Sequence, residues 1–446
     1  MLGFSGTREW VYPQSISGRF TTLRRWTFLA LHLVLFVTPW ITVDDHPLLL
    51  IDIPARRVFL LGGIYTASDS FFLLLLMLFL AFALFFFTAL WGRLWCGYAC
   101  PQTVFLETWI RPLEIWIEGD RIQRKRRDGL GWSFDRMWRK AAKWTAFLAV
   151  AFLLAMAIVS FFVPARELWT LRAGALAYSF VGVFTFLWYW DFTWFREQFC
   201  NFLCPYARFQ SALTDDETLL IGYDPKRGEP RGGKGAAAEG RCIACNKCVV
   251  VCPQGIDIRD GFQLECIQCA RCIDACVSVM DKLGHRTLVE YTSLAESEGK
   301  AVRRLRPRTF VYGALLTSLV VFGGVLMAER VPFEVTVNRV PGSLFTLDPD
   351  GFVRNTYLLK ITNNDPGNAP VVYSLSVEGL PNAEVLFRDV SLSSNESRTF
   401  PLVIRLPLSG ELKRTIPIEV RVTSSDGELG VPTTFKSGAA VGEGES

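Results

Sequence analysis

The hydrophobic pattern divides the chain into long apolar stretches and a C-terminal region of alternating residues. Long apolar stretches cover residues 26–43, 70–91, 144–163, 175–195 and 309–328. Each is long enough to cross a hydrocarbon layer of about 30 Å as a helix. Alternating apolar and polar residues follow in 333–340, 356–362, 371–377, 398–406 and 417–422. With turn residues between them, these runs predict the strands of a small β-sandwich.

The positive charges orient the predicted spans. Lys and Arg are frequent in segment 92–143 and at the end of segment 196–308, and they are few in 44–69 and 164–174. Segments rich in Lys and Arg stay on the cytoplasmic side of a membrane. Five spans with the N-terminus inside satisfy this distribution and place the C-terminal region outside.

Composition adds one informative feature, the number and position of the cysteines. The chain has 12 Cys and three His, and no Cys follows Cys276. A disulfide-stabilised secreted protein would carry cysteines in its exterior part. Metal or cluster ligation in a reducing compartment is therefore the better interpretation. The net charge of +4 excludes little.

Eight cysteines form two tandem runs with the spacing C-x2-C-x2-C-x3-C. The runs are Cys242, Cys245, Cys248 and Cys252, followed by Cys266, Cys269, Cys272 and Cys276. This is the spacing of bacterial ferredoxins with two [4Fe–4S] clusters, in which the fourth Cys of each run ligates the other cluster. It predicts one cluster on Cys242, Cys245, Cys248 and Cys276, and a second on Cys266, Cys269, Cys272 and Cys252.

Two structural zinc sites are the alternative for these eight cysteines. Zinc motifs usually space their ligands as two pairs with a longer loop between them, which disfavours this alternative. One departure from the repeat is visible, because Pro253 follows Cys252 whereas Val277 follows Cys276. It removes no ligand.

Four further cysteines form two C-x3-C-P motifs, each after a predicted span. They are Cys96 and Cys100 before Pro101, and Cys200 and Cys204 before Pro205. Residues at i and i+4 share one face of a helix, so each pair could present two thiols together. Thiolates suit Cu(I), zinc or iron–sulfur clusters, which makes these four a candidate metal or redox site. The alternative is that they are buried apolar packing.

His32 is a weaker candidate for the same site. It lies in the first predicted span, on the side where the C-x3-C-P motifs are expected. An ionisable residue inside a membrane span is a functional candidate. It could ligate a metal, or it could only form a hydrogen bond with a neighbouring helix.

Together these motifs resemble the cytochrome c oxidase accessory family CcoG, also called FixG or RdxA. The resemblance spans nearly the whole chain and rests on the C-x3-C-P motifs, the tandem ferredoxin motif, the final span and the C-terminal sandwich. It implies a bacterial inner-membrane protein that assists assembly of a cbb3-type oxidase and reduces Cu(II) to Cu(I). The copper site would then be Cys96, Cys100, Cys200 and Cys204.

The implied partners are a cytoplasmic electron donor, and oxidase assembly factors or copper chaperones, with no nucleic acid. Two other functions stay open. One is a general membrane conduit that passes electrons to a quinone or a partner reductase. The other is a non-enzymatic redox-sensing or assembly factor.

The expected architecture is a mixed membrane protein with four parts. Residues 1–214 form a four-span membrane domain, and 215–300 an inserted cytoplasmic ferredoxin-type domain with two [4Fe–4S] clusters. Residues 301–330 form the fifth span of the α-helical bundle, and 331–446 a periplasmic immunoglobulin-like β-sandwich.

Overall fold

The structure, a computed structural model, forms two compact units. It describes residues 10–43, 46–66, 69–129, 131–232, 240–303, 306–342, 344–365, 369–408 and 413–438. One unit comprises Met1–Pro39 and Leu75–Val321, and the other comprises Trp40–Leu74 and Phe322–Ser446.

The first unit is mainly helical. Its α-helices, some of which extend into the second unit, are α1 (Arg19–Val37), α2 (Ser70–Trp91), α3 (Leu94–Tyr98), α4 (Pro101–Phe105), α5 (Arg111–Glu118), α6 (Arg121–Gly129), α7 (Phe134–Val159), α8 (Ala165–Trp169), α9 (Ala175–Trp190), α10 (Pro205–Leu213), α11 (Pro225–Gly228), α12 (Lys247–Val250), α13 (Arg271–Met280), α14 (Leu294–Ser297) and α15 (Pro307–Ala328). Three π-helices, Leu106–Ile110, Asp191–Phe195 and Phe199–Leu203, interrupt this series.

Four helices of the described residues are long and apolar enough to cross a membrane. They are α1 with its 3-10 extension to Trp40, α2, α7 and α15. The predicted span at 175–195 is instead a 16-residue α-helix, α9, that continues directly into the π-helix Asp191–Phe195. The apolar helices confirm a membrane protein. Of the five predicted spans, four are long apolar helices in the described residues and the fifth, α9, is shorter.

Two of the spans begin earlier than the hydrophobic pattern predicts. Helix α1 starts at Arg19, so Arg24 and Arg25 lie within its second turn and not before it. Helix α7 starts at Phe134, where the Ser133 hydroxyl caps it by accepting a hydrogen bond from the Arg136 amide at 3.3 Å. Charged residues extend both helices because their long side chains reach polar partners beyond the apolar segment.

The ferredoxin insert packs around a small core of its own. Strands β6 (Leu220–Tyr223) and β7 (Val289–Thr292) pair antiparallel at its two ends. Ile221, Ile258 and Ile273 are buried together between this pair and helices α12 and α13. The insert is therefore closed at its base, where the chain leaves and re-enters the helical part.

The second unit contains two facing antiparallel sheets. Its strands are β8 (Phe333–Arg339), β9 (Thr346–Leu347), β10 (Phe352–Asn363), β11 (Val371–Glu378), β12 (Glu384–Leu386), β13 (Val390–Leu392), β14 (Ser397–Pro407), β15 (Thr415–Ser424) and β16 (Gly427–Lys436). One sheet has the order β12-β14-β10-β8 with β9 beside β10, and the other has β13-β11-β15-β16. Five shorter strands of the same unit form two small sheets. One pairs β1 (Thr42–Val43) with β2 (His46–Pro47), and the other contains β3 (Leu49–Asp52), β4 (Arg57–Leu60) and β5 (Gly63–Tyr65).

Alternation creates the sandwich core. Val353, Tyr357 and Leu359 point inward from β10, while Val420 and Val422 point inward from β15, and all are fully buried. The five predicted strands are therefore confirmed, as is the immunoglobulin-like class of the C-terminal region. The edge strand β16 was not predicted, because its Gly427, Gly430 and Pro432 interrupt the alternating pattern of apolar and polar residues.

Candidate functional site

The eight cysteines of the insert line two neighbouring cavities. Cys252, Cys266, Cys269 and Cys272 line one of them. Cys242, Cys245 and Cys276 line the other. Cys248 lines both cavities, so they lie side by side. Four thiols around a cavity suit a [4Fe–4S] cluster, and the grouping matches the crossed assignment, which stays a prediction.

The two cysteine loops share an unusual backbone. In each loop, the residue before the second Cys and the residue after it have left-handed φ angles: Ala244 and Asn246 in the first loop, Gln268 and Ala270 in the second. This conformation costs a non-glycine residue about 1–2 kcal/mol. Because both loops adopt it at equivalent positions, the chain is wrapped in the same way around each cavity.

Burial disfavours the thiolate form of several cysteines of the insert. It raises the pKa of Cys266 to about 12 and that of Cys252 to about 11. Backbone amides partly oppose this, and the Leu288 amide donates to Cys276 Sγ at 3.4 Å. Thiols in such surroundings become thiolates when they bind metal, and N–H···S contacts then tune the potential of the bound cluster.

The C-x3-C-P motifs differ from their prediction in one respect, because the two cysteines of a pair do not share one helix. Cys96 lies in α3, whereas Cys100 has an extended backbone and caps α4, which begins at Pro101. Cys200 lies in the π-helix Phe199–Leu203, and Cys204 caps α10. Proline disfavours the helical conformation in the residue before it, so each second Cys falls at a junction.

The thiols of these motifs nevertheless lie near enough to one another to influence each other's pKa. After burial, the neighbouring thiol of Cys100 is the largest influence that raises the pKa of both Cys96 and Cys200, and Cys204 also raises both. Cys96 Sγ donates to Gln210 Oε1 at 3.4 Å, and the amides of Gln102 and Thr103 lower the pKa of Cys100 against its burial. We call these four residues the cysteine quartet. Among the described residues, no three His, Cys, Asp or Glu side chains are arranged to hold a single metal ion.

The quartet lies directly against the ferredoxin insert. A Cβ atom on Gly97 would lie 2.6 Å from the Ile267 carbonyl oxygen and 3.0 Å from the Cys269 Cα. Only glycine allows the segment between Cys96 and Cys100 to approach the second cysteine loop this closely. The two cysteine sites are thereby brought into backbone contact.

His32 does not offer a free nitrogen. Its Nε2 accepts a hydrogen bond from Trp109 Nε1 at 2.8 Å, and its Nδ1 lies 2.7 Å from the Phe28 carbonyl oxygen. Nδ1 therefore carries the proton, and the lone pair of Nε2 is in use. Metal ligation would require the Trp109 bond to break, so the hydrogen-bonding alternative describes His32 in this structure.

A buried ion-pair network supports the quartet. Arg196, four residues before Cys200, binds both carboxylate oxygens of Glu114 at 2.8 and 2.9 Å. Arg124 Nη2 contacts the same carboxylate at 2.7 Å. Burial alone would raise the pKa of Glu114, but Arg196 and Arg124 outweigh it and lower the pKa to about 2.

Sequence reasoning missed Gly97, Arg24 and this network. Arg24 Nε donates to the Gly97 carbonyl oxygen at 2.9 Å, although it stands in an apolar helix. The available signal was local: a glycine inside a C-x3-C motif, and arginines inside predicted spans. Their partners are distant in sequence, which a single sequence does not reveal.

The apolar helices and the cysteine-lined cavities define a membrane-bound iron–sulfur electron-transfer protein, and family models agree. A 4Fe-4S binding domain matches residues 73–125, and a 4Fe-4S dicluster domain matches 195–294. The model of the IG-like fold at the C-terminal of FixG matches residues 324–437. The first two matches include the quartet as well as the eight cysteines of the insert.

The chain belongs to the FixG/RdxA family. It is 35% identical to the nitrogen fixation protein FixG of Rhizobium meliloti, over 95% of this chain and 88% of that protein. It is 38% identical to protein RdxA of Cereibacter sphaeroides over 79% of each chain, and 37% identical to protein RdxB of that organism over 80% of each. A crystal structure of a FixG-related protein from Vibrio parahaemolyticus covers 24% of this chain and 96% of its own, at 21% identity and a TM-score of 0.22, which is too low to inform the fold.

Paired cysteine substitutions test the crossed ligand assignment. In the double variant Cys252→Ser/Cys269→Ser, both changes fall on one predicted cluster, so the iron content should fall from about eight to about four per chain. In Cys245→Ser/Cys252→Ser, each cluster loses a ligand, and both should be lost. Iron analysis with electron paramagnetic resonance measures this. The reverse result would establish that each cluster uses one uninterrupted run of cysteines.

Replacing the buried carboxylate tests the ion-pair network. Glu114→Gln leaves the charge of Arg196 buried without its partner, so the free energy of unfolding at pH 7 should fall by about 3–5 kcal/mol. The folded pKa of about 2 lies below the ordinary value of 4.5. The carboxylate therefore stabilises the fold above pH 4.5, and this stabilisation is lost as the pH falls towards 2.

The measurement is denaturant unfolding in detergent, with Glu167→Gln as the matched control. Glu167 is exposed and has no ion pair among the described residues. The difference between Glu114→Gln and wild type should shrink as the pH falls from about 4.5. A difference that is absent at pH 7, or equal in the control, would contradict a stabilising role for Glu114.

Proposed function

We propose that this protein delivers electrons from its iron–sulfur insert to copper, and reduces Cu(II) to Cu(I) during assembly of a cbb3-type oxidase. The observation that carries the proposal is the backbone contact between Gly97, which lies between Cys96 and Cys100 in the chain, and Cys269 in the second cysteine loop. When bound, the clusters supply single electrons, and reduction of each Cu(II) ion consumes one.

The chemistry of the quartet suits copper as a substrate. Cu(I) prefers soft thiolate ligands, so Cys96, Cys100, Cys200 and Cys204 favour the reduced product over Cu(II). The raised pKa values of Cys96 and Cys200 mean that copper must displace protons to bind. The chain's six Met are scattered and form no copper-binding cluster, so we propose the quartet as the copper site.

The proposed setting is a bacterial inner membrane. The Lys and Arg distribution supports a cytoplasmic insert and a periplasmic C-terminal sandwich. The proposed divisions are 1–214, 215–300, 301–330 and 331–446. An electron donor would then act from the cytoplasm, and oxidase assembly factors or copper chaperones would receive the copper.

Copper reduction by purified, reduced protein tests the proposal. Wild type should convert Cu(II) to Cu(I), detected with a Cu(I)-specific chelator after excess reductant is removed. Cys96→Ser/Cys200→Ser should lose most of this activity because two soft ligands are replaced, while its iron content stays at about eight per chain. Cys276→Ser should lose both iron and copper reduction.

If Cys96→Ser/Cys200→Ser reduces copper at the wild-type rate, the quartet is not the copper site. Rapid oxidation of the reduced clusters by a quinone analogue, without copper reduction, would favour a general electron conduit. Normal oxidase assembly with altered gene expression in a strain that lacks the clusters would favour a redox sensor.

The close approach at Gly97 gives a second test. Gly97→Ala places a methyl group where backbone atoms of the insert stand, so we expect slower copper reduction and a loss of about 1–3 kcal/mol in stability. Gly182→Ala is the matched control, since no atom lies within 4 Å of its added Cβ. Stopped-flow measurement of cluster oxidation by Cu(II) compares them. Equal rates in Gly97→Ala and wild type would show that electrons do not cross at this contact.

A further inference from the structure

A large cavity of the first unit is lined by none of the twelve cysteines. Its volume is about 750 Å³. Part of its lining is apolar and comes from apolar helices, with Phe28, Leu29 and Phe36 from α1 and Leu153 from α7. The rest of the lining is strongly basic. A cavity of this size, apolar on some walls and cationic on others, fits an amphiphile.

The basic part contains five arginines and one carboxylate. The arginines are Arg24, Arg25, Arg111, Arg124 and Arg271, and the carboxylate is Glu107. Glu107 is shared, with Oε2 at 2.8 Å from Arg271 Nη1 and Oε1 at 3.2 Å from Arg111 Nε. In the described part of the chain, neither Arg24 nor Arg25 forms an ion pair. Arg111 and Arg124 also pair with carboxylates outside the lining, Glu197 and Glu114, so the excess of positive charge comes from Arg24 and Arg25.

Several of these arginines also have buried nitrogens without an acceptor. Arg24 is 2% exposed, and Arg111 and Arg271 are each 6% exposed. Among the described residues, no hydrogen-bond acceptor serves Arg24 Nη2, Arg111 Nη1 or Arg271 Nε, and the Thr108 hydroxyl on the same lining is equally unserved. Each such group costs about 1–3 kcal/mol, and more where it is charged. A ligand with several acceptor oxygens would satisfy them.

The charge of the lining favours an anion over a quinone as the ligand of this cavity. A quinone is neutral and takes up protons when reduced, so its site needs a group that can carry a proton. Arg111 and Arg271 outweigh burial at Glu107 and lower its pKa to about 2, so it stays ionised. Both ring nitrogens of His32 are in use. A permanently charged anion matches this lining, and a phosphate fits the arginine forks.

We propose that this cavity binds an anionic phospholipid, with its phosphate on Arg24, Arg25, Arg111 and Arg271 and its acyl chains along α1 and α7. Arg24 and Arg25 lie in the second turn of a helix long enough to cross a membrane, which is the depth of lipid headgroups. The proposal goes beyond copper reduction and does not depend on it.

The bound lipid connects the two cysteine sites. Arg24 donates to the carbonyl oxygen of Gly97, the residue that follows Cys96, and Arg271 immediately precedes Cys272 of the insert. Arg111 Nη2 also reaches the Pro253 carbonyl oxygen at 3.5 Å, next to Cys252. A phosphate on these arginines holds both segments through one counter-ion.

The experiment measures lipid binding to the full chain in a neutral detergent. Phosphatidylglycerol is compared with phosphatidylcholine, inorganic phosphate and a short-chain ubiquinone analogue, by native mass spectrometry and by the shift in thermal unfolding. We expect phosphatidylglycerol to bind and to raise the unfolding temperature, and the other three to have little effect.

Two exposed arginines of α1 provide a matched pair of variants. Arg25 lines the cavity, whereas Arg19, one and a half turns earlier, does not. Arg25→Gln should weaken phosphatidylglycerol binding about fivefold, and Arg19→Gln should leave it unchanged. The content of iron–sulfur clusters, measured by their visible absorbance, should be equal in the two variants. A loss of lipid binding can then be distinguished from a failure of copper reduction.

Four outcomes would overturn the proposal. Equal binding of phosphatidylcholine would show that the net charge of the lipid does not determine binding. Equal stabilisation by inorganic phosphate would show that the site binds phosphate and does not require a lipid. Stabilisation by the ubiquinone analogue that is lost in Arg25→Gln would assign the cavity to a quinone. An equal loss of affinity in Arg19→Gln and Arg25→Gln would reduce the effect to general surface charge.

Discussion

The pairing of Arg196 with Glu114 is the contact on which the arrangement of the quartet depends. Glu114 belongs to the polypeptide that follows Cys96 and Cys100, and Arg196 to the turn that precedes Cys200. Arg196 has a left-handed φ of 53°, a conformation that is energetically unfavourable for residues other than glycine. Two charge-assisted hydrogen bonds offset this strain, so the carboxylate both neutralises the arginine and sets the direction of the chain into Cys200.

A second group of contacts ties this assembly to the ferredoxin insert, and it works through backbone carbonyls. Arg93 Nη2 donates to the Ala207 carbonyl oxygen at 2.5 Å, and its Nη1 donates to that of Leu264 in the insert. Within the insert, Gln268 Nε2 donates to the Leu219 carbonyl oxygen at 2.6 Å. Carbonyl acceptors at loop ends are otherwise left unpaired when buried, so these bonds fix the loops. The guanidinium of Arg93 also lowers the pKa of Cys96 and Cys266, against the effect of their burial.

The extent to which the sequence predicts the fold and the site follows from how local each determinant is. The tandem cysteine spacing, the apolar spans and the alternating strands are local patterns, and the structure reproduces them as neighbouring cavities, long helices and two sheets. The shared helical face predicted for each C-x3-C pair is wrong, whereas the helix break that a proline after the second Cys favours is found at Pro101 and Pro205. The close packing at Gly97 and the Glu114 network join residues distant in sequence, so only the folded chain reveals them.

The π-helices indicate why the quartet could be assembled from such distant parts. Leu106–Ile110 follows the first cysteine pair, Asp191–Phe195 precedes the second, and Phe199–Leu203 contains Cys200. Each π-turn holds one residue more than an α-turn would, which rotates the following chain relative to the preceding helix, and such turns are frequent at functional sites. A regular continuation of α9 would carry Cys200 around the helix axis and away from Cys96. The widened turns before and around Cys200 therefore direct its thiol towards the other three, and the Arg196–Glu114 pair holds the chain in that direction.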